Sequence, residues 1–466
     1  MSRPGRKSLP IRLGLGLSLL VLAVGGPSVR TLRAAPPLDE PRHSPNGRLE
    51  AARLAAVQAS VDSLAARRRN LLPRTDGLLD LRSVFHAHAG DSLHTGGTPE
   101  EMLAAAKAAG VRVVFLSDHF RPPRDYMDSW RGLRDGVLFI PGSEARGFLL
   151  HPEASVFPLM EKPVPELIPA VVRGEGMAFL SHIEERPDHP MTGLTGLEIY
   201  NRHYDAKRDF TGMLQLVLRL TDPERLKELS ELLRRFPDAC LAAQCLYPQA
   251  YLDKWDASTA TGRFTGVAAN DCHHNQIFLL KKVDDETALL GTVVDKDEGM
   301  RKVRASLRPT LRPLLAGHPP GAIVARLDFD PYERSFRNVC THVLSPVQTE
   351  PALRAAVKAG RAYVSHDWMG DPSGFDFRVV DGDSGPAGIL GEERPFTAGQ
   401  RLEIRSPLPA TIRLIRDGQV EATAEGDHLD HPVTRPGVYR VELWLTLDTE
   451  RRPWVYSNPI YLRVGR

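Results

Sequence analysis

Ser83-Val-Phe-His-Ala-His-Ala-Gly-Asp-Ser-Leu-His94 is the stretch around which the rest of the chain is organised. It is a short apolar run that ends with His86 and His88, two residues apart. Alternate residues of a β-strand point to the same face, so a strand ending here would bring both imidazoles to one metal ion. Two histidines at the rim of a barrel are also a common structural feature, so the stretch alone only suggests a metal site.

Four later stretches place a metal-ligand residue type directly after an apolar run, and they end in Asp118-His119, Glu144, His182 and Asp271-Cys-His273. Strand ends that converge on one rim form the active site of a parallel α/β barrel. Imidazoles together with carboxylates suit zinc, manganese or iron, and a bridging carboxylate suits more than one ion. We therefore expect two or three divalent metal ions bound at one end of a barrel.

The ordered set HxH, DH, E, H and DxH resembles the PHP (polymerase and histidinol phosphatase) superfamily of metal-dependent phosphoesterases, over roughly residues 80 to 275. The resemblance implies a distorted (β/α)7 TIM-like barrel with three ions in one cleft. It implies that the first ion is bound by His86, His88, Glu144 and Asp271, the second by Glu144 and His182, and the third by His94, His119 and His273. Glu144, Asp271 and His182 are the candidate catalytic residues.

The chain departs from the family pattern at two places. Leu93-His94-Thr95 stands where many members have Ser-Asp-Gly, and Ser181-His182-Ile183 stands for the usual Ala-His-Pro. The resemblance also implies a further ligand of the second ion after Leu197-Glu-Ile-Tyr-Asn201. His203 is our candidate, with Asn201 and His189 as alternatives. The competing structural interpretation is that His203 is an ordinary surface histidine.

Other side chains near these motifs have a functional and a structural interpretation. Asp118 could orient a metal-bound imidazole or cap the next element. Five cations, Arg121, Arg124, Arg146, Arg202 and Lys254, could bind a phosphate or be surface charges. Three aromatic residues, Tyr126, Trp130 and Trp255, could line the pocket or pack in the core.

The resemblance implies hydrolysis by a hydroxide that bridges two metal ions, and we expect phosphomonoesters or phosphodiesters as substrates. Arylester or carbamate hydrolysis on the same site is the alternative. An amidohydrolase barrel also begins with HxH, but the DH pair and the terminal DxH favour the PHP pattern. An inactive binding protein with the same fold is a further alternative.

Residues 1–26 have the features of an export signal: basic residues, the apolar run Leu13–Val24, and then small residues. An uncleaved anchor is the alternative. We expect cleavage, a periplasmic or secreted protein, and no membrane span afterwards. Residues 27–78 are expected to hold a proline-rich linker and one amphipathic helix over Leu49–Leu72.

Strands alternate with helices through residues 79–366, which predicts a parallel barrel. Thr98-Pro-Glu-Glu101 predicts a capped helix start, with Gly110 ending that helix. Residues 281–327 are charged and are predicted to be partly helical. Short alternating runs in residues 374–466, with a hairpin turn at Asp417-Gly418, predict a small antiparallel β-sandwich. This tail, with Pro453–Tyr461, resembles that of the carbaryl-hydrolase-like group of PHP proteins.

The composition is that of an ordinary globular protein, with 466 residues, 42% hydrophobic and 25% charged. A net charge of +2 gives no reason to expect a specific nucleic-acid partner. A small anionic substrate, a phosphate ester above all, therefore has to be recognised locally. The four cysteines lack CxxC spacing, which excludes a disulfide scaffold for a chain of this length.

Overall fold

The computed structural model describes residues 43–68, 74, 76–90, 92–127, 130–382 and 385–465. The predicted signal at residues 1–26, and the linker as far as residue 42, lie outside the described residues. Among the described residues, no helix is long and apolar enough to cross a membrane.

The N-terminal segment forms two helices, α1 (Pro45–Arg48) and α2 (Ala51–Arg67). The second matches most of the helix predicted over 49–72. It buries Leu54, Val57 and Leu64, whose spacing of three and seven residues places them on one face of a helix.

Strands and helices then alternate through the region that carries the metal-ligand motifs. The elements are β1 (Leu79–Ala87), α3 (Pro99–Ala108), β2 (Val113–Leu116), β3 (Asp118–His119), β4 (Gly132–Arg134), β5 (Val137–Ile140), β6 (Ser143–Ala145), β7 (Phe148–His151), α4 (Val164–Val171), β8 (Met177–Leu180), β9 (Gly196–Asn201), α5 (Arg202–Arg208), α6 (Phe210–Leu218), α7 (Pro223–Arg235), α8 (Pro237–Leu241), α9 (Gln249–Thr259) and β10 (Thr265–Cys272).

The strands of this region form a mixed sheet. Strand β1 pairs in parallel with β2 and β10, β2 with β5, β3 with β6, β8 with β9, and β9 with β10. Strand β7 differs, because it pairs antiparallel with both β6 and β8. The prediction of uniformly parallel strands is therefore wrong at β7. Arg146 (φ 55°) and Gly147 (φ 87°) form the two-residue turn that reverses the chain there.

The strands form a circuit that begins and ends at β1. Its order is β1, β2, β5, β6, β7, β8, β9 and β10, and the short Pro141-Gly142 link connects β5 to β6. Side chains of β1, β2, β5, β7, β8 and β10 belong to one buried cluster, in which Phe85 of β1 stacks on Phe115 of β2 at 4.0 Å and meets Phe179 of β8 at 5.8 Å. The strand ends are thus held around a common core.

Helix α3 begins and ends as its sequence predicts. Thr98 Oγ1 accepts a hydrogen bond from Glu101 N, and Glu101 Oε2 accepts one from Thr98 N. Gly110 follows the helix with φ 70°, a conformation that costs glycine little. This confirmed connection sets β2 beside β1.

The segment from 277 to 328 is mainly strand, and the helical part that was predicted is limited to one five-residue helix. It consists of β11 (Ile277–Asp284), β12 (Thr287–Thr292), β13 (Arg301–Arg304), α10 (Leu311–Leu315) and β14 (Ile323–Asp328). The strands form an antiparallel sheet in the order β13-β12-β11-β14. Charged residues such as Asp284, whose Oδ1 accepts from Glu286 N, occupy its tight turn, and they concealed the strand pattern on either side.

The C-terminal part contains α11 (Tyr332–Asn338), β15 (Cys340–Ser345), α12 (Glu350–Lys358), β16 (Ala362–Ser365), β17 (Asp376–Asp381), β18 (Pro386–Ile389), β19 (Glu393–Pro395), β20 (Gln400–Arg416), β21 (Gln419–Pro432), β22 (Gly437–Leu447), β23 (Glu450–Ser457) and β24 (Ile460–Arg463). Most pairs are antiparallel, as predicted. Two of the short alternating runs, 402–405 and 411–415, belong to one strand, β20, whose register with β21 shifts between Arg405 and Ala410. The predicted hairpin at Asp417-Gly418 is confirmed.

Strand β16 joins the two parts of the chain. It pairs with β15, which itself pairs with β1, and on its other side with β23 of the C-terminal sheet. The predicted domain limits, 79–366 and 374–466, stay predictions.

A buried ionic network also connects the two parts. Arg440 of β22 binds Asp256 of α9 through two bonds of 2.7 and 2.8 Å, and it donates to Glu442 at 2.7 Å. Glu442 is fully buried and also accepts from Arg413 and Tyr247. Burial opposes its ionisation, but the two arginines more than offset this and hold the pKa of Glu442 below its usual value.

We predict that Arg440→Met destabilises the protein by about 3–5 kcal/mol, because it leaves the buried Asp256 and Glu442 short of their shared partner. Urea denaturation followed by circular dichroism measures the change. The control is Arg225→Met, which removes an exposed ion pair with Glu228 and should cost less than about 1 kcal/mol. Equal effects of the two substitutions would contradict the structural role of the network.

Candidate metal centre

Glu144 lies at the middle of the predicted ligand set. It stands in β6 directly opposite His119 of β3. Its Oε2 atom is 3.4 Å from His86 Nε2, 3.6 Å from His88 Nε2 and 3.2 Å from His119 Nδ1, and its Oε1 atom is 3.1 Å from His182 Nε2. Three strand ends, those of β1, β3 and β8, therefore bring four imidazoles to one carboxylate.

Asp271, in the last residues of β10, is the second carboxylate of the cluster. Its Oδ1 atom is 3.2 Å from His273 Nε2, 3.4 Å from His86 Nε2 and 3.9 Å from His88 Nε2. Its Oδ2 atom is 3.7 Å from His182 Nε2. His86, His88 and His182 thus lie between the two carboxylates.

The donor atoms are spaced as metal ligands are. Ligand atoms about 2.1 Å from one ion lie about 3.0–3.4 Å apart in octahedral or tetrahedral geometry. Several of the separations at Glu144 and Asp271 are in or just beyond this range and are longer than ordinary hydrogen bonds. Within the part of the chain that the structure describes, three groups offer donor atoms within 4.8 Å of one another: His88, His119 and His273; His86, His88 and Asp271; and His86, Glu144 and His182.

The imidazoles are also oriented as metal ligands are. Metal-bound histidines usually have their second ring nitrogen fixed by a polar group. Four of the predicted ligands show this arrangement at Nδ1, where the partners are Glu198 Oε1 for His86 (2.6 Å), Glu184 Oε1 for His182 (3.4 Å), Thr95 Oγ1 for His273 (2.9 Å) and Ser92 Oγ for His94 (3.1 Å). The residues present fit a site for divalent ions.

Glu198 is a site residue that the sequence analysis missed. It is fully buried in β9, and its Oε2 atom accepts from His182 N at 2.9 Å and from Asn201 Nδ2 at 2.9 Å. One carboxylate therefore holds both His86 and the backbone of His182. The available signal was a single glutamate inside the strand Gly196–Asn201, all of whose residues are buried.

Glu184 was missed as well. Its Oε1 atom faces His182 Nδ1, and its Oε2 atom accepts from Tyr251. Burial raises the pKa of Glu184, but the bonds from His182 and Tyr251 outweigh it and lower that pKa to about 2. The carboxylate is therefore ionised over the whole neutral range.

The electrostatics of the cluster favour bound cations. Burial works against ionisation of Glu144 and Asp271, yet His86 and the other imidazoles hold the pKa of both carboxyls well below the usual value. The pKa values of His86 and His182 shift in the opposite sense, upward in spite of burial, because of the same carboxylates. Burial opposes protonation of His182, but Glu144 and Glu184 raise its pKa to about 10. The protein alone therefore draws positive charge to the place where the ligand atoms converge.

Three of the candidate ligands have a left-handed backbone: His86 (φ 59°), His182 (φ 48°) and Asp271 (φ 46°). Such conformations are uncommon outside glycine and cost about 1–3 kcal/mol each. They cluster at the site, which is typical of residues whose position is set by function.

The strain also corrects the predicted geometry of the HxH motif. Strand β1 ends at Ala87, and Asn270 and Asp271 of β10 lie opposite His86 alone, which makes a β-bulge. His86 and His88 do reach the same carboxylates, but through this irregular strand end and not through regular alternation along a strand.

Seven of the nine predicted metal ligands belong to the three groups above, and the other two lie beside them. His94 Nε2 is 2.7 Å from His119 Nε2. His203 is half-exposed at the start of α5, with its Nδ1 atom 3.8 Å from Asp271 Oδ2. Burial lowers the pKa of His203, which keeps the imidazole neutral and able to coordinate. The assignment of all nine stays a prediction.

The two alternatives to His203 have other contacts. Asn201 accepts from His203 N and donates to Glu198, so it supports the site from behind. The His189 ring packs against Phe148 at 5.1 Å.

Asp118 accepts from Ala89 N, next to His88, at 3.0 Å. It therefore holds the chain that carries a predicted ligand.

The predicted phosphate-binding cations divide into two classes. Arg121 and Arg146 line an open pocket of about 410 Å³ together with His119 and Glu144. Arg146 also donates to Glu161 O at 2.7 Å. The other three have contacts outside this pocket: Arg124 lies over Tyr126 at 4.3 Å, Arg202 donates to Gln276 Oε1, and Lys254 donates to His189 O. Trp255 is buried and donates to Phe264 O, and Trp130 packs against Phe139.

Comparisons with known proteins give little beyond these contacts. The chain matches no protein-family profile and no curated protein. It is similar to a solved structure from Bacteroides vulgatus ATCC 8482, a two-domain protein containing a predicted PHP-like metal-dependent phosphoesterase, with 13% identity over 83% of this chain and 98% of that chain and a TM-score of 0.35. A TM-score this low does not establish a common fold.

We predict that Glu198→Gln weakens metal binding 10–100-fold. In the variant, the amide oxygen of residue 198 still accepts from His182 N, so its NH₂ group faces His86 Nδ1. An NH₂ group that donates to Nδ1 favours the His86 tautomer with the proton on Nε2. That proton prevents Nε2 from coordinating a metal ion. Calorimetric titration with Mn²⁺ or Zn²⁺ measures the dissociation constant. Glu185→Gln, which changes an exposed glutamate paired with Lys207, is the control and should bind metal as the wild type does. Unchanged affinity in Glu198→Gln would contradict the assigned role.

Proposed function

We propose that the protein is a metal-dependent hydrolase of the PHP type and that it cleaves phosphate esters. The observation that supports this most is the convergence of strand-end imidazoles on Glu144 and Asp271, with the Nδ1 atoms of three of them fixed by polar partners. A polar cluster of this kind, with strained backbone at three of its residues, is costly for stability alone.

Bound divalent ions would supply the activation of water and the stabilisation of negative charge that develops on the substrate. The chain itself supplies the anionic ligands Glu144 and Asp271, which remain ionised at neutral pH. Glu198 and Glu184 orient the two imidazoles on which the geometry of the ions depends.

The charge of the pocket favours phosphate over a neutral ester. Two or three divalent ions held mainly by neutral imidazoles would leave an excess of positive charge. Arg121 and Arg146 line the adjoining pocket and would bind the oxygens of a phosphoryl group that do not react.

Arylester or carbamate hydrolysis is the second candidate. Phe120 and Met160 line the same pocket as the two arginines, and Phe120 packs against Phe157 at 5.4 Å. These apolar walls would accept the aryl group of an uncharged ester. They suit an aryl phosphate equally well, so the charge of the pocket decides the ranking.

We also infer export from the signal-like residues 1–26. The circuit of strands that leads back to β1 supports the seven-stranded barrel of the proposed family, and the antiparallel C-terminal strands support a second, sandwich-like part.

We predict that the metal-loaded protein cleaves p-nitrophenyl phosphate or its bis ester faster than p-nitrophenyl acetate or naphthyl carbamate. The double substitution Arg121→Gln, Arg146→Gln should raise KM for the phosphate about tenfold and leave KM for the acetate unchanged, because only the phosphate is anionic. The control is Arg173→Gln, away from this pocket.

Three results would oppose this proposal in different ways. Turnover of the acetate or carbamate without cleavage of either phosphate ester would reverse the ranking. Turnover of none of the four by a metal-loaded protein would restrict the function to other substrates. A protein that neither binds metal nor turns over any ester would support the inactive binding protein.

A further inference from the structure

A pocket remote from the metal-ligand cluster lies where three parts of the fold meet. It is lined by Arg48 of α1, by Tyr247 and Trp368, and by Trp444 and Arg452 of the C-terminal sheet. Its volume of about 50 Å³ corresponds to about four water molecules, since one needs about 10–15 Å³ on the same measure. A six-membered ring with a small substituent occupies a similar space.

The polar wall of the pocket carries excess positive charge. Arg48 and Arg452 are both buried, and both bind the same carboxylate, that of Glu450. Two cations thus share one anion. A third cation, Arg451, also lines the pocket, and its partner at 3.4 Å is the exposed Glu425, a pair that solvent screens. Burial, and then the charge of Arg48, lower the pKa of Arg452 to about 10 in spite of Glu450. A bound anion would relieve this imbalance.

The remaining walls are aromatic. Tyr247 and Trp444 stack at 5.1 Å with their rings tilted by 36°. Arg452 lies over the Trp368 ring at 5.7 Å. Flat side chains around a narrow space select a flat ligand, because ring faces pack on ring faces.

Trp368, one of the residues that line the pocket, also carries a hydrogen-bond donor that the described residues leave unsatisfied. The Nε1 atom of Trp368 is buried and has no hydrogen-bond partner among the described residues. A buried donor without a partner costs about 1–3 kcal/mol, and such atoms are rare in folded proteins. Trp368 is itself more than nine-tenths buried. Its indole N–H is therefore a donor that a ligand oxygen would satisfy.

We propose that this pocket is a second binding site, distinct from the metal centre, for a small planar anion such as an aromatic carboxylate. The ring of the ligand lies against Tyr247, Trp444 and Trp368. Its carboxylate compensates the charge of Arg48, Arg451 and Arg452 and accepts from Trp368 Nε1. None of the predicted metal ligands lines the pocket, so the proposal does not depend on the function of the metal centre.

Benzoate, with benzyl alcohol as the uncharged analogue of the same shape, tests the proposal on the full-length protein. Titration followed by tryptophan fluorescence and by calorimetry should show one saturable benzoate site per chain, and benzyl alcohol should bind at least tenfold more weakly. Trp368→Phe keeps an aromatic ring and removes the donor, so it should weaken benzoate binding about five- to tenfold. Arg451→Gln, at a residue that is partly exposed, should weaken it without a change in folding.

Glu144→Gln separates this pocket from the metal centre. Benzoate should bind that variant with unchanged affinity, since the substitution is far from the aromatic walls. The proposal is overturned if benzoate does not saturate, if benzyl alcohol binds as tightly, or if Glu144→Gln abolishes binding that Trp368→Phe and Arg451→Gln leave intact.

Discussion

The burial of Glu144 and Asp271 among histidines is the interaction on which the rest of the structure depends. Two carboxylates in a largely water-excluded space are stable only beside positive charge, and the imidazoles face them from the ends of different strands. Every strand of the circuit around β1 has to end at the right height for this to happen. The fold is therefore organised to hold charge at one rim.

The cost of that arrangement is visible in the backbone. His86, His182 and Asp271 have left-handed conformations, and β10 bulges against β1 where His86 and Asp271 meet. Buried carboxylates behind the histidines, Glu198 and Glu184, then fix the ring orientations. A rigid metal site requires both features: candidate ligands held in a strained backbone conformation, and carboxylates that hydrogen-bond to the ring nitrogens facing away from the site.

Much of the fold and of the candidate site was predictable from the sequence, and the wrong or missing predictions have physical causes. The gathering of these side chains at strand ends was predictable because each one follows an apolar run, as at Met177–Leu180 before His182. Glu198 was not, because inside a strand the sequence does not show that a carboxylate faces two histidines across the fold. The antiparallel strand β7 was missed because Arg146-Gly147, a two-residue turn, decides its direction. Charged turns concealed the sheet of residues 277–328.

Metal content tests the central claim most directly. Wild-type protein loaded with Mn²⁺ or Zn²⁺ and freed of excess metal should contain two or three equivalents by mass spectrometry. Glu144→Gln should retain at most one, because the carboxylate shared by the first two ions is lost. Glu161→Gln, an exposed glutamate on the same pocket wall, should retain the full amount. A full complement of metal in Glu144→Gln would contradict the account.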